Sequence, residues 1–233
     1  MSNVIAIILA RGGSKGIPNK NIVNFCGKPL LVWSIEQAKK TGKISSVWVS
    51  SDSEKILEIA KQNGTNTILR PASLSTDTST GESGYLHALN EIEKKEKIDI
   101  VISLQATSPL REPSDIERAL NDFVSGQYDS MFSCVALKDF FIWTKTSDGN
   151  YVSFNYDYLN RKRRQDINEQ FVENGSFYIF KPDVLRNMQN RLGGKIGISK
   201  MDFWKMFEID SEDDLELCET LMKHYLLKNE GND

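Results

Sequence analysis

Apolar and polar positions fall along this chain in two kinds of block. The first kind is a short, almost unbroken apolar run. Val4–Leu9 is the clearest, and Ser46–Ser51, 67–69, 99–104 and 131–137 follow it. Runs of this length, rich in Val and Ile, predict buried strands of a parallel sheet. The second kind spaces its apolar residues three and four apart. Residues 29–40 carry Leu30, Leu31, Trp33, Ile35 and Ala38, with Pro29 in the first turn, and predict a helix. A second helix begins at Asp52-Ser53 and turns Ile56, Leu57, Ile59 and Ala60 to one face. Further helices are expected at 84–95 and 113–124, the first of them after a Ser/Thr-rich loop at 74–83. Strands alternating with helices imply βαβ units with right-handed crossovers. The fold expected is therefore α/β, a Rossmann-like three-layer α/β/α arrangement around a mostly parallel sheet.

The alternation breaks over residues 138–172. That stretch holds Phe140, Phe141, Trp143, Tyr151, Tyr156 and Tyr158, and the run Arg161-Lys162-Arg163-Arg164. It reads as an inserted arm whose aromatics need a surface to bury them, and a second subunit is the economical one. Beyond it we expect a strand at 175–180, a helix at Pro182–Met188 and a last strand ending at Glu208-Ile209-Asp210. Ser211 then N-caps a final helix with Asp213 and Asp214 in its first turn. The organisation expected is one domain over residues 1–233 with a dimerisation arm at about 138–172.

Composition narrows the function classes. The chain has 233 residues, 39% hydrophobic and 26% charged, as in an ordinary globular domain. A net charge of -3 disfavours nucleic-acid binding, which wants a basic surface. No apolar stretch approaches a membrane span, and residues 4–10 lack the basic flank of a signal peptide. Three scattered cysteines, Cys26, Cys134 and Cys218, give no zinc spacing and suit reduced thiols in a cytoplasmic setting. The two histidines, His87 and His224, fall in predicted helices, and no Ser-His-Asp or Cys-His pairing suggests covalent acyl chemistry.

The candidate chemistry starts where the first strand ends. Ala10, Arg11, Gly12, Gly13, Ser14, Lys15 and Gly16 lead to Lys20 and Asn21. Glycines let a backbone turn sharply against a ligand, and the three cations Arg11, Lys15 and Lys20 make the loop a cradle for a polyphosphate. The other reading of such a loop is a solvated basic turn. It matches neither the P-loop pattern nor the dinucleotide fingerprint, so ATPase and dehydrogenase readings lose their usual support. Polar stretches at 50–52, 70–71, 105–111, 174–175 and 208–210 are expected to gather beyond the carboxyl ends of the strands, where open sheets bind ligands. Cations around a pair of carboxylates suit phosphoryl or nucleotidyl transfer, with the carboxylates on Mg²⁺.

These motifs, taken in order, resemble those of the N-acylneuraminate (CMP-sialic acid) cytidylyltransferases. Ala10 to Asn21 resembles that family's signature loop. Leu69-Arg70-Pro71-Ala72 with Ser75-Thr76-Asp77-Thr78 resembles its second motif, and Leu104-Gln105-Ala106-Thr107-Ser108-Pro109-Leu110-Arg111 its third. Asn174-Gly175-Ser176-Phe177-Tyr178 and Ile209-Asp210 complete the set. The resemblance implies transfer of CMP from CTP to the anomeric hydroxyl of a nine-carbon sugar acid, with release of pyrophosphate.

It also implies roles. Arg11, Lys15 and Lys20 hold the triphosphate, and Asn21 orients the nucleotide. Ala10, Gly12, Gly13, Arg70 and Thr80 join the nucleotide-binding set. Gln105, Asn174 and Tyr178 face the sugar, and Arg164 reaches the sugar site from the neighbouring subunit of a homodimer. Asp210 and Glu208 hold Mg²⁺, which makes Arg11, Lys20 and Asp210 the expected catalytic group. The chain departs from the family pattern at three places. Glu208 stands where an Asp is usual, Trp143 falls on a common lysine with Lys145 nearby, and residues 190–201 have no clear counterpart to the segment that packs N-acetyl groups. Related acids (legionaminic, pseudaminic or an eight-carbon ulosonic acid) and a catalytically silent nucleotide-binding homologue are the alternative readings.

Overall fold

The structure is a computed structural model that describes residues 2–14, 16–137 and 140–228, apart from the side chain of Arg164. Lys15, expected on the triphosphate, lies outside the described residues.

In chain order the elements are β1 (Val4–Leu9), β2 (Asn24–Phe25), β3 (Lys28–Pro29), α1 (Leu30–Lys40), β4 (Ser46–Ser51), α2 (Glu54–Gln62) and β5 (Asn66–Leu69). Then come α3 (Gly81–Glu93), β6 (Ile100–Gln105), α4 (Pro113–Ser125), β7 (Ser130–Leu137), β8 (Trp143–Lys145) and β9 (Tyr151–Ser153). The chain closes with β10 (Gln170–Phe180), α5 (Pro182–Met188), β11 (Ile196–Met201) and α6 (Glu212–Tyr225). Seven strands form one sheet in the order β11-β7-β10-β6-β1-β4-β5. All neighbours pair in parallel except β10, which runs antiparallel to β6 and β7.

Successive strand residues point to opposite faces, so β1 feeds two cores. Ala6 and Ile8 meet α1, α2 and α4 through Leu31, Ile35, Ile56, Ala60, Ile116 and Phe123. Ile5 and Ile7 meet α3 and α5 through Tyr85, Leu89, Ile92 and Leu185. The three-layer α/β/α fold expected from the sequence is the one found. A third cluster joins α6 (Cys218, Met222) to Phe25, Leu30 and Ile209, which fixes the loop before α6 against the body.

Three boundaries need correction. The strand expected at 175–180 begins at Gln170, so β10 takes over the last residues assigned to the arm. Residues 208–210 do not end a strand. They follow a 3₁₀ turn, Phe203–Met206, in an irregular segment where the Ile209 N–H donates to the Thr107 carbonyl at 2.8 Å. The last strand is β11, at the sheet's edge, and its buried positions are Gly197, Ser199 and Met201. Its apolar Ile196 faces outward, so the alternation that betrays a half-buried strand is missing. Finally, α3 starts at Gly81, one turn earlier than expected, with the Thr80 hydroxyl accepting from the Ser83 N–H. Gly81 and Gly84 weaken the helical pattern of that first turn.

Within the arm, β8 and β9 form an antiparallel hairpin. Phe141 meets Tyr156 edge-on at 4.5 Å between ring centroids, and Trp143 meets Tyr158 at 5.4 Å. These contacts leave Phe154 72% and Leu159 81% exposed.

Candidate active site

The first site-building device is the turn between β1 and α1. The Gly12 N–H donates to Asp52 Oδ1 at 2.9 Å, and the Asn21 amide donates to the Arg11 carbonyl at 3.0 Å. Asn21 is buried, so its side chain shapes the loop from within. A Cβ on Gly16 would stand 2.1 Å from the Asp210 carbonyl oxygen, so only glycine lets the loop lie against the segment before α6. That approach brings Lys20 Nζ to 2.6 Å from Asp210 Oδ1. Arg11 reaches across to Asp77, 2.9 Å away, on the Ser/Thr-rich loop before α3.

These residues enclose a cavity of about 380 Å³ lined by Arg11, Lys20, Asn21, Arg70, Thr80 and Gln105, among others. The N-terminus of α3 opens onto it through Thr80, Gly81 and Gly84. A helix N-terminus and several cations favour an anionic ligand. Arg70 is buried, which lowers its pKa, and its Nε donates to Ser75 Oγ at 2.8 Å.

A second cavity of about 260 Å³ lies beside the first, lined by Gln105, Glu173, Asn174, Gly175, Tyr178, Met206 and Glu208. Gln105 borders both. Its Nε2 donates to Glu208 Oε2 at 2.6 Å and to Thr107 Oγ1 at 3.1 Å. Burial, and then the nearby Asp210 charge, raise the pKa of Glu208. Gln105 is held from below by Arg111, 1% exposed, whose guanidinium donates to the carbonyls of Gln105, Ser108 and Ser176. Arg111 thus rivets the turn after β6 to β10, and its burial lowers its pKa to about 9.

Most of the site residues named from the sequence therefore converge. Asn174 borders the second cavity, yet its amide is buried, accepting from Ser133 Oγ at 2.6 Å and donating to the Lys205 carbonyl at 3.0 Å. It holds the strand rather than reaching outward. The side chain of Arg164 lies outside the described residues. Ala10, Gly12 and Gly13 sit in the first turn as expected but do not line the cavity, and Asp210 is joined to it through Lys20. Sequence reasoning gave Asp52 and Asp77 no individual role, although the stretches 50–52 and 75–78 that hold them were singled out. It passed over Glu173, which flanks the quoted Asn174-Gly175 motif by one residue.

A mostly parallel α/β sheet with a basic cavity beyond its strand ends, built on a glycine turn and a helix N-terminus, defines a class of nucleotide-handling proteins. A family model described as "Cytidylyltransferase" matches residues 5–231, and the chain belongs to that family. It is 35% identical to an N-acylneuraminate cytidylyltransferase of Oncorhynchus mykiss over 93% of this chain and 50% of that protein. It is 34% identical to post-translational flagellin modification protein B of Campylobacter coli, over 96% of both. The chain thus spans about half the length of the fish relative and nearly all of the bacterial one. Among solved structures, a CMP:2-keto-3-deoxy-manno-octonic acid synthetase complexed with CTP superposes with a TM-score of 0.72 at 18% identity. It covers 97% of this chain and 100% of that one, a likeness of fold.

Proposed function

We propose that this chain activates a nonulosonic acid with CTP, giving the CMP-sugar and pyrophosphate. The observation that carries the reading is the pair of cavities meeting at Gln105, one basic and one lined by Tyr178, with Glu208 bonded to Gln105 and Asp210 paired with Lys20. Family membership and the fish relative's name support CTP as donor and a sialic-type acid as acceptor.

In this reading the sugar's anomeric oxygen attacks the α-phosphorus of CTP. The bond from that phosphorus to the β-phosphate bridging oxygen breaks, and the hydroxyl's proton leaves to solvent or a carboxylate. Arg11 and Lys20 exchange Asp77 and Asp210 for phosphate oxygens and stabilise the charge that develops there. Arg70 lies deeper and holds the nucleotide's orientation. Gln105 spans both substrates and aligns them.

The donor set fits Mg²⁺. This ion usually takes one or two carboxylates and completes its shell with phosphates and water. Besides burial, the charge of Asp210 raises the Glu208 pKa, so the two carboxylates lie near each other. Those two residues would hold the ion, which when bound neutralises phosphate charge. The arm's exposed aromatics support a homodimer with Arg164 acting on the partner's site. Three unpaired cysteines suit a reducing, cytoplasmic compartment.

The test is pyrophosphate release with CTP, Mg²⁺ and a panel of nine- and eight-carbon sugar acids. Turnover with CTP and at least one nine-carbon acid is expected. Equal turnover of UTP would overturn the base assignment, because a site that hydrogen-bonds a base edge rejects the wrong donors. Preference for a neutral sugar or a sugar 1-phosphate would overturn the substrate class.

A further inference from the structure

Glu173 and Tyr178 are five residues apart on β10. In a regular strand an odd separation sends two side chains to opposite faces. Here the ladder shifts between them. Glu173 pairs with Cys134 and Tyr178 with Phe132, so five steps on β10 match two on β7. Residues paired with positions two apart share a face. Gly175, at φ +65°, sits in the bulge that makes this possible. The Tyr178 hydroxyl consequently donates to Glu173 Oε2 at 2.8 Å, and both side chains line the second cavity.

Tyr178 is fixed on its other side too. The Arg191 guanidinium lies 4.3 Å from the ring centroid of Tyr178 and 5.3 Å from that of Tyr85. Arg191 is in turn held by Glu82, at 3.0 Å, in the first turn of α3, the helix that opens onto the first cavity. Among the described residues Tyr178 is the hydrogen-bond partner of the Glu173 carboxylate, through Oε2, and Oε1 remains for a ligand.

Resting on the function proposed above, we infer that Glu173 is a specificity-determining residue for the sugar acid. Its carboxylate, aimed by Tyr178 and Arg191, accepts a hydrogen bond from an O–H or acylamino N–H donor on the sugar. Two carboxylates, Glu173 and Glu208, line this cavity. The end of the sugar that enters between them presents donors, while the substrate's own carboxylate is repelled towards the cationic side. Arg191 is a positioning residue that keeps the Tyr178 ring, and through it Glu173, in place.

Steady-state kinetics of the full chain with CTP and a panel of nine-carbon acids, each lacking one hydroxyl or acylamino group, tests this. Glu173→Gln keeps the shape but removes the charge. It should raise KM for the acids that carry the donor by about 10–100-fold, the range expected for a lost charged hydrogen bond, leaving KM for CTP unchanged. One deoxy analogue should show no difference between wild type and variant, which identifies the group read. Tyr178→Phe should reproduce part of the KM effect, and the double variant should be no worse than Glu173→Gln alone. Unchanged sugar KM in Glu173→Gln, or a uniform loss across all acids and CTP, would overturn the inference while leaving the proposed function standing. A wild-type chain silent with CTP and every acid would overturn both.

Discussion

At the scale of single residues, the site depends on contacts that have one chemical solution. Gly16 lies where a Cβ would meet the Asp210 carbonyl oxygen at 2.1 Å. Backbone cannot yield as a flexible side chain can, so Gly16→Ala should force the turn away from Asp210. We expect at least about a tenfold loss of kcat/KM in that variant, equivalent to ~1.4 kcal/mol of transition-state stabilisation. Near-normal kinetics would show that the close approach has no part in turnover. Asp210→Asn removes charge with little change of volume, and it also ends the ion pair with Lys20. It should lose most activity while retaining its far-UV circular dichroism and thermal midpoint. Normal turnover at limiting Mg²⁺ would remove Asp210 from the metal site. Arg111 belongs to the same scale but serves the frame, since its buried guanidinium donates to the carbonyls of Gln105, Ser108 and Ser176 and so ties three backbone segments together.

At the scale of elements, the segment that carries Glu208 and Asp210 is neither helix nor strand, so something else must hold it. Lys205, 2% exposed, does so: its Nζ lies 2.7 Å from both Asp115 and Glu112 at the start of α4. Burial alone would push the lysine's pKa down, but the bonds to Asp115 and Glu112 carry it above the usual 10.5. The folded state therefore prefers the protonated form. Its stabilisation is complete below pH 10.5 and is lost as pH rises through the folded value.

Lys205→Met would leave Asp115, itself nearly buried, with the half-exposed Arg118 as its remaining cationic partner. Removing one member of a buried pair costs about 3–5 kcal/mol when the other is left without compensation. Arg118 keeps the expected loss below that range. Urea unfolding should show that loss at neutral pH, with the gap to wild type closing as pH rises above 10.5 and the wild-type lysine loses its proton. A gap that persists once the wild-type lysine is neutral would assign the loss to packing rather than to its charge. Because the segment leads into the site, the variant should also lose activity under conditions where it remains folded.

At the scale of the whole molecule, the arm carries the proposed assembly. Phe140, Trp143, Tyr151, Phe154, Tyr158 and Leu159 are exposed on one short insertion. An apolar surface of this kind is unusual on a monomer and normal at a subunit interface. Light scattering should find a dimer at micromolar concentration, and Phe154→Glu with Leu159→Glu should give a folded monomer of reduced activity. Mixed dimers of Arg164→Ala and Asp210→Asn subunits should regain activity if each site draws on both chains. A wild-type monomer, or verified mixed dimers that stay inactive, would place the arm's aromatics and Arg164 in other roles.

The sequence by itself determined the layered fold and the glycine-rich basic turn. Both rest on local physics: apolar runs that only a buried strand accommodates, apolar faces that only a helix repeats, and glycines where a backbone must turn. Those signals placed β1, β4 and α5 at the boundaries the structure shows. They failed where burial and chemistry part company. In β11 the buried positions include Gly197 and Ser199, and at 208–210 the chain is fixed by Lys205 and by a hydrogen bond to Thr107 rather than by its own periodicity.

Only the tertiary structure brought Gln105 between two cavities and Glu173 onto the face of Tyr178. It also withdrew the Asn174 amide into the interior. The physical reason is common to all three. A side chain's direction is set by register, bulges and distant partners, and a sequence read locally carries residue identity but not that geometry.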